Sequence, residues 1–105
     1  MAQFDVHQNR NETTKSRYPL LLDVQSDLLD PLVTRVVVPM VPATTARTRS
    51  METLTPALKV GGKSFVLMTP QLAAISQREL GPAVGNFAEH RTRILAALDM
   101  LITGI

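Results

Sequence analysis

The sequence predicts a mainly β, α+β fold: a series of short antiparallel strands followed by one C-terminal helix. Three observations predict it. Short apolar stretches alternate with period two or are β-branched, and polar, Pro- or Gly-containing turns separate them. A Gly61-Gly62 pair stands between two such stretches, the chemistry of a tight hairpin turn. Beyond residue 86 the chain runs to residue 102 without Gly or Pro and with apolar residues at helical spacing.

Residues 2–7, AQFDVH, set Phe4 and Val6 on one face and Gln3, Asp5 and His7 on the other, as a half-buried first strand requires. The wholly polar residues 8–17 read as an exposed, mobile loop. Residues 18–25, YPLLLDVQ, form the second strand, with Leu20, Leu22 and Val24 sharing a face and Pro19 near the start. In SDLLDPL, residues 26–32, Leu28 and Leu29 lie between Asp27 and Asp30, and Pro31 opposes a helix at Asp30. This is a turn that exposes or half-exposes two leucines. TRVVVP, residues 34–39, is the most β-branched stretch and reads as a buried central strand stopped by Pro39 and Pro42.

Residues 43–56 show no clean period and read as a loop or a short strand. Residues 57–60 and 63–68 flank the glycine pair as a β-hairpin. For TPQLAAISQREL two readings stand: a helix capped by Thr69 with Pro70 at its first position, or a short turn followed by a strand at residues 74–76. Asn86 can accept from the backbone at the start of the final helix, with Glu89 reaching back. Its apolar stripe is Ile94, Leu95, Leu98, Leu101 and Ile102, with Gly104 at C′ and Ile105 at C″, where contacts back onto a helix are common.

At 105 residues with 45% hydrophobic content, the expectation is one domain, residues 1–105, with little core to spare, so any large apolar patch is a candidate partner surface. The net charge of +2 and pI near 9.5 are mildly basic, short of the dense cationic clustering of phosphate-backbone binders. The absence of cysteine removes disulfides, thiolate nucleophiles and zinc-thiolate sites. Without a signal-length or membrane-spanning apolar segment, the expected location is cytoplasmic, with no membrane partner.

Little in the chain points to bond-making chemistry. His7 and His90 fall in distant elements and read as surface or strand-face histidines, not metal ligands. Asp23, Asp27 and Asp30 cluster around a turn, where carboxylates usually bond to backbone amides. No nucleophile elbow is present, and Gly61-Gly62 lacks the glycine spacing and following helix of a phosphate loop. Arg10, Lys15, Arg17, Arg47 and Arg49 could form a basic face, but one tyrosine and no tryptophan leave little surface for stacking bases. A binding protein, without metal or cofactor and not an enzyme, is the expectation.

LDVQSDLLD, residues 22–30, resembles the CcdB family of toxins. The similarity continues through TRVVVPM, residues 34–40, and LTPALKVGGKSFVLMTPQLAAI, residues 54–75, and then from His90-Arg91 to the closing Gly104-Ile105. It loosens over residues 8–16 and 41–52. The resemblance implies an SH3-like antiparallel sheet with a C-terminal α-helix, shared with the MazF and Kid toxins. It also implies a homodimer whose paired helix ends insert into the DNA gyrase A subunit and trap it on cleaved DNA. A cognate CcdA-like antitoxin with a flexible acidic segment would neutralise the toxin. DNA would be reached only through that complex, which autoregulates its operon in plasmid-maintenance modules.

The family's target-contacting positions correspond to Leu28, Leu29, Asp99, Ile102, Thr103, Gly104 and Ile105. Asp99, Ile102 and Thr103 depart from the family, which has asparagine, phenylalanine and tryptophan there. Threonine in place of tryptophan removes an aromatic anchor of the kind whose truncation costs about 2 kcal/mol or more. Two alternatives therefore stand beside gyrase poisoning. One is a homologue of the same fold whose gyrase activity is lost or retargeted. The other is a MazF-like endoribonuclease using Arg47, Thr48 and Arg49.

Overall fold

The β-branched run that begins at Thr34 becomes the central strand of the sheet. The computed structural model describes residues 2–29, 31–44 and 52–104. Among them are seven strands, β1 Asp5–Asn9, β2 Leu20–Asp23, β3 Thr34–Pro42, β4 Ala57–Val60, β5 Lys63–Leu67, β6 Ala73–Ser76 and β7 Leu80–Asn86, and one helix, α1 Arg91–Thr103. The strands order as β4-β5-β3-β2-β1-β7, with β6 also on β3, and the pairings are antiparallel. This is the antiparallel sheet with a C-terminal helix that the sequence predicts, in agreement with the SH3-like sheet that the resemblance implies.

β3 runs past Pro39 to Pro42, three residues beyond the predicted stop. Its first half, residues 34–37, pairs with β6 and its last part, residues 40–42, with β5. Pro39 sits at the break between those partners, where a missing N–H disrupts no ladder, and its carbonyl still accepts from the Met68 N–H at 2.9 Å. The Gly61-Gly62 turn has φ of 56° and 82°, the paired positive values of a primed hairpin. Residues 69–79 resolve as a 3₁₀ turn Thr69–Gln71, strand β6 and a second 3₁₀ turn Gln77–Glu79. The turn-then-strand alternative is the correct one.

β7 was not predicted, because LGPAVGN has the composition of a loop. It is an edge strand bonded to β1 alone, which tolerates Pro82. At Gly81 a Cβ would meet the Gln8 carbonyl oxygen at 2.8 Å, so glycine is what lets the two backbones approach. The pairing is irregular there.

The sheet is covered on both faces, which is why β2 is buried at all four residues. One face packs Val6, Leu22, Met40 and Leu67 against Ile94 of α1, with Phe4 and Phe87 alongside. The other carries a smaller cluster of Leu21, Val37 and Leu80 together with buried polar groups. His7, expected as a surface or strand-face histidine, is one of them: it stands on a face of β1 and is 4% exposed. Its Nδ1 lies 2.9 Å from the Gly81 carbonyl, to which it donates, while Nε2 is buried without a hydrogen-bond partner. The predicted loop of residues 8–17 is organised from within, because the Asn9 amide, at the end of β1, donates to Thr14 Oγ1 at 3.0 Å and the Tyr18 carbonyl at 2.9 Å.

Arg35 and Asp23 are fully buried on this second face, with Nη2–Oδ2 2.6 Å and Nε–Oδ2 3.0 Å. A lone buried charge is strongly unfavourable, so each of these residues requires the other. Asp5, by contrast, sits near the surface at the β1–β7 end. Burial pushes its carboxyl up, but hydrogen bonds from the Asn86 amide and the Ala2 N–H, with the influence of His7, hold it below its usual value.

The helix begins one turn later than predicted. Asn86 Oδ1 accepts from the Ala88 N–H at 2.7 Å, as expected, but residues Ala88–His90 wind as a 3₁₀ turn before α1. Phe87 is anchored to the sheet by its N–H to the Phe4 carbonyl at 2.8 Å. Glu89 does not reach back; it lies beside His90, 3.6 Å from Nε2.

Replacing Arg35 with Met should destabilise the fold by about 3–5 kcal/mol by stranding Asp23. The Arg35→Met/Asp23→Leu double variant should recover most of that loss in urea unfolding. Because the Asp5 carboxyl is lowered on folding, its contribution is present above the unfolded value and disappears as pH falls through the folded one. Asp5→Asn should flatten the acid limb of a stability-versus-pH curve and lower stability at pH 7.

Candidate protein-docking site

Helix α1 packs against the sheet through Ile94 and Ala97, with Leu98 against the same core. The predicted stripe does not stay buried along its length. Leu101 is 37% and Ile102 76% exposed, so the apolar face turns from core to solvent over the last turn. Ala97, which was not in the predicted stripe, does the inner packing. Gly104 ends the helix in the left-handed region, at φ 76° and ψ 15°, and its N–H donates to the Met100 carbonyl at 3.0 Å. That geometry matches the glycine C′ signal.

Asp99, Ile102, Thr103 and Gly104 thus stand together, exposed, at one helix end. Thr103 Oγ1 donates to the Asp99 carbonyl at 2.7 Å, so the hydroxyl is folded back on its own helix and Ile102 supplies the apolar contact surface. Ile105 and the contact predicted for it lie outside the described residues.

Leu28 and Leu29 stand on a separate projection, the 3₁₀ turn Asp27–Leu29 between β2 and β3. Leu28 is 90% exposed and Leu29 48%. Ser26 builds the turn: its Oγ accepts from the Leu28 N–H at 3.2 Å and its carbonyl from the Leu29 N–H at 3.0 Å. Asp27 Oδ1 accepts from the Gln3 N–H at 2.8 Å, and Asp23 Oδ1 from the Gln25 N–H at 3.0 Å. These two carboxylates serve as backbone acceptors, as carboxylates around a turn commonly do. Asp30 lies outside the described residues.

Sequence reasoning did not name Leu32 and Val33, which are 49% and 80% exposed and extend the same projection. The signal was available: an apolar pair after Pro31 and before the first strand residue has no face to bury. Nor were Gln25 and Arg35 given roles, although a lone arginine at the head of a Val-Val-Val run has to find a partner if it points inward.

Other chemistries find little support in the geometry. A cavity of about 280 Å³ opens on the second face, floored by Tyr18, Leu21, Val37, Pro39 and Ile75. Two of the amides that line it are already engaged, Asn9 with Thr14 and Asn11 with Glu79. Among the described residues no group of three His, Asp or Glu could hold a metal ion, and no helix is long and apolar enough to cross a membrane. The endoribonuclease candidates Arg47, Thr48 and Arg49 lie outside the described residues.

Among the described residues, the most exposed large apolar side chains therefore stand on the tip of α1 and on the separate connection between β2 and β3. The family model described as CcdB protein matches residues 3–104, nearly the whole chain. With this sheet, this helix and that match together, the chain belongs to the CcdB family of toxins of toxin–antitoxin systems.

Proposed function

We infer that the protein acts by protein–protein binding and makes no bonds itself: as a homodimer it docks on the DNA gyrase A subunit and traps it on cleaved DNA. The observation that carries this reading is the exposure of Ile102 at the αL-terminated tip of α1, with Leu28 standing free on the turn after β2. Large aliphatic side chains gain nothing for folding at such exposure, whereas buried in a partner each contributes about 1.5–3 kcal/mol. Dimerisation doubles the set and places two such tips on one surface. A cognate antitoxin with an acidic flexible segment neutralises the toxin, and the net charge of +2 favours that encounter. DNA is contacted through the toxin–antitoxin complex, which represses its own operon.

One observation favours a second reading, a toxin of the same fold directed at another target or weakened against gyrase. Thr103 stands where the family carries tryptophan, and its hydroxyl is spent on the Asp99 carbonyl. The tip therefore lacks a rigid aromatic anchor.

Expression in cells carrying sensitive or toxin-resistant gyrase separates the two readings. Growth arrest confined to the sensitive allele supports gyrase poisoning; arrest regardless of allele overturns it in favour of retargeting. Ile102→Asp and Leu28→Asp should each weaken binding to purified gyrase A by at least tenfold while leaving the unfolding midpoint within experimental scatter. Thr103→Trp should tighten the same binding by about 2 kcal/mol, or roughly thirtyfold, measured by calorimetry.

A further inference from the structure

We propose that Gln25 is the positioning residue that holds the Leu28–Leu29 projection in its docking geometry, an inference that rests on the docking role given to that projection. Gln25 lies two residues beyond the end of β2, after Val24, and is only 7% exposed. Its side-chain amide takes the place that a peptide group would hold beside β3. Oε1 accepts from the Val36 N–H at 3.1 Å, and Nε2 donates to the Thr34 carbonyl at 3.3 Å. Nε2 also donates to the Leu29 carbonyl at 3.2 Å, tying the 3₁₀ turn to the sheet from within.

The main chain of the same residue is fixed as well. Its N–H goes to Asp23 Oδ1, and its carbonyl accepts from Arg35 Nη2 at 3.4 Å. The buried ion pair thus orients Gln25, and Gln25 orients the turn. Further tethers reach the projection: Asp27 Oδ1 accepts from the Gln3 N–H and lies 3.9 Å from Arg35 Nη2, and Gln77 donates from Nε2 to the Leu32 carbonyl at 2.7 Å and from its N–H to the Val33 carbonyl at 3.2 Å. Gln25 is the buried side chain that hydrogen-bonds the backbone of the turn itself.

Only a side chain with an acceptor and a donor on the same carbon serves here. Glutamate keeps the acceptor and turns a second oxygen toward two carbonyls; leucine loses both. Leu28, at 90% exposure, has no packing to define its direction, so polar tethers have to define it. A projection ordered before binding avoids the entropic cost of ordering it at the interface.

The test compares Gln25→Glu and Gln25→Leu with the parent chain by native-state hydrogen exchange and by binding to gyrase A. Both variants should exchange the Leu29 and Leu32 amides about tenfold faster, with β2–β3 ladder amides within about twofold of the parent. Their dissociation from gyrase A should accelerate by about the same tenfold. Leu28→Ala should weaken binding without altering exchange. Unchanged exchange at Leu29 and Leu32 overturns the proposal, as does a uniform rise across the ladder, which marks a merely structural residue. If the parent chain fails to bind gyrase A, the docking reading falls, while the exchange data still decide whether Gln25 holds the turn.

Discussion

The buried Arg35–Asp23 ion pair is the constraint around which the rest of the molecule is arranged. Two opposite charges with no exposed surface, 2.6 Å apart, are tolerable only in a geometry that satisfies both. Asp23 pairs with Val37 across the β2–β3 ladder, which places Arg35 diagonally opposite on the same face. A slip of one residue would turn one charge into the apolar face that packs α1. The pair therefore selects one register for the central strands. Through the Gln25 backbone it also fixes where the chain leaves β2.

The two faces of the sheet divide the work. The face toward α1 is almost purely apolar and supplies the burial that holds helix and sheet together. The opposite face carries His7, Asn9, Asp23 and Arg35 with a smaller apolar cluster, and its contribution is directional. Hydrogen bonds and the Arg35–Asp23 ion pair there set strand register and loop exits. The exposed leucines and valine between β2 and β3 are the product of this second face, and the exposed tip of α1 is the product of the first. Ile94 and Ala97 seat the helix, and its last turn runs past the edge of what they cover.

Gly104 and Gly81 show two different uses of a missing side chain. Gly104 permits the left-handed turn that ends α1. Gly81 permits close contact between β7 and the Gln8 backbone. At Gly104 a Cβ would meet open space but carry left-handed strain, whereas at Gly81 it would collide with the Gln8 carbonyl.

Much of this was legible in the residues alone. Alternation marked β1 and β2, the β-branched run marked β3, Gly61-Gly62 marked the hairpin, and the Gly- and Pro-free segment ending at Gly104 marked the helix. Those signals are local: period, turn chemistry and capping act between residues a few positions apart. The exposure of Leu28 and Leu29 was also local, because no period placed them on a buried face. What the tertiary structure decided was non-local. β7 exists because β1 offers it a ladder, although Pro82, Gly81 and Gly85 argue against a strand. β3 passes through Pro39 because two different strands flank it there. His7 and Arg35 are buried because partners distant in sequence, Gly81 and Asp23, stand opposite them. The exposure of Ile102 depends on how Ile94 and Ala97 seat the helix on the core, which no pattern within α1 encodes.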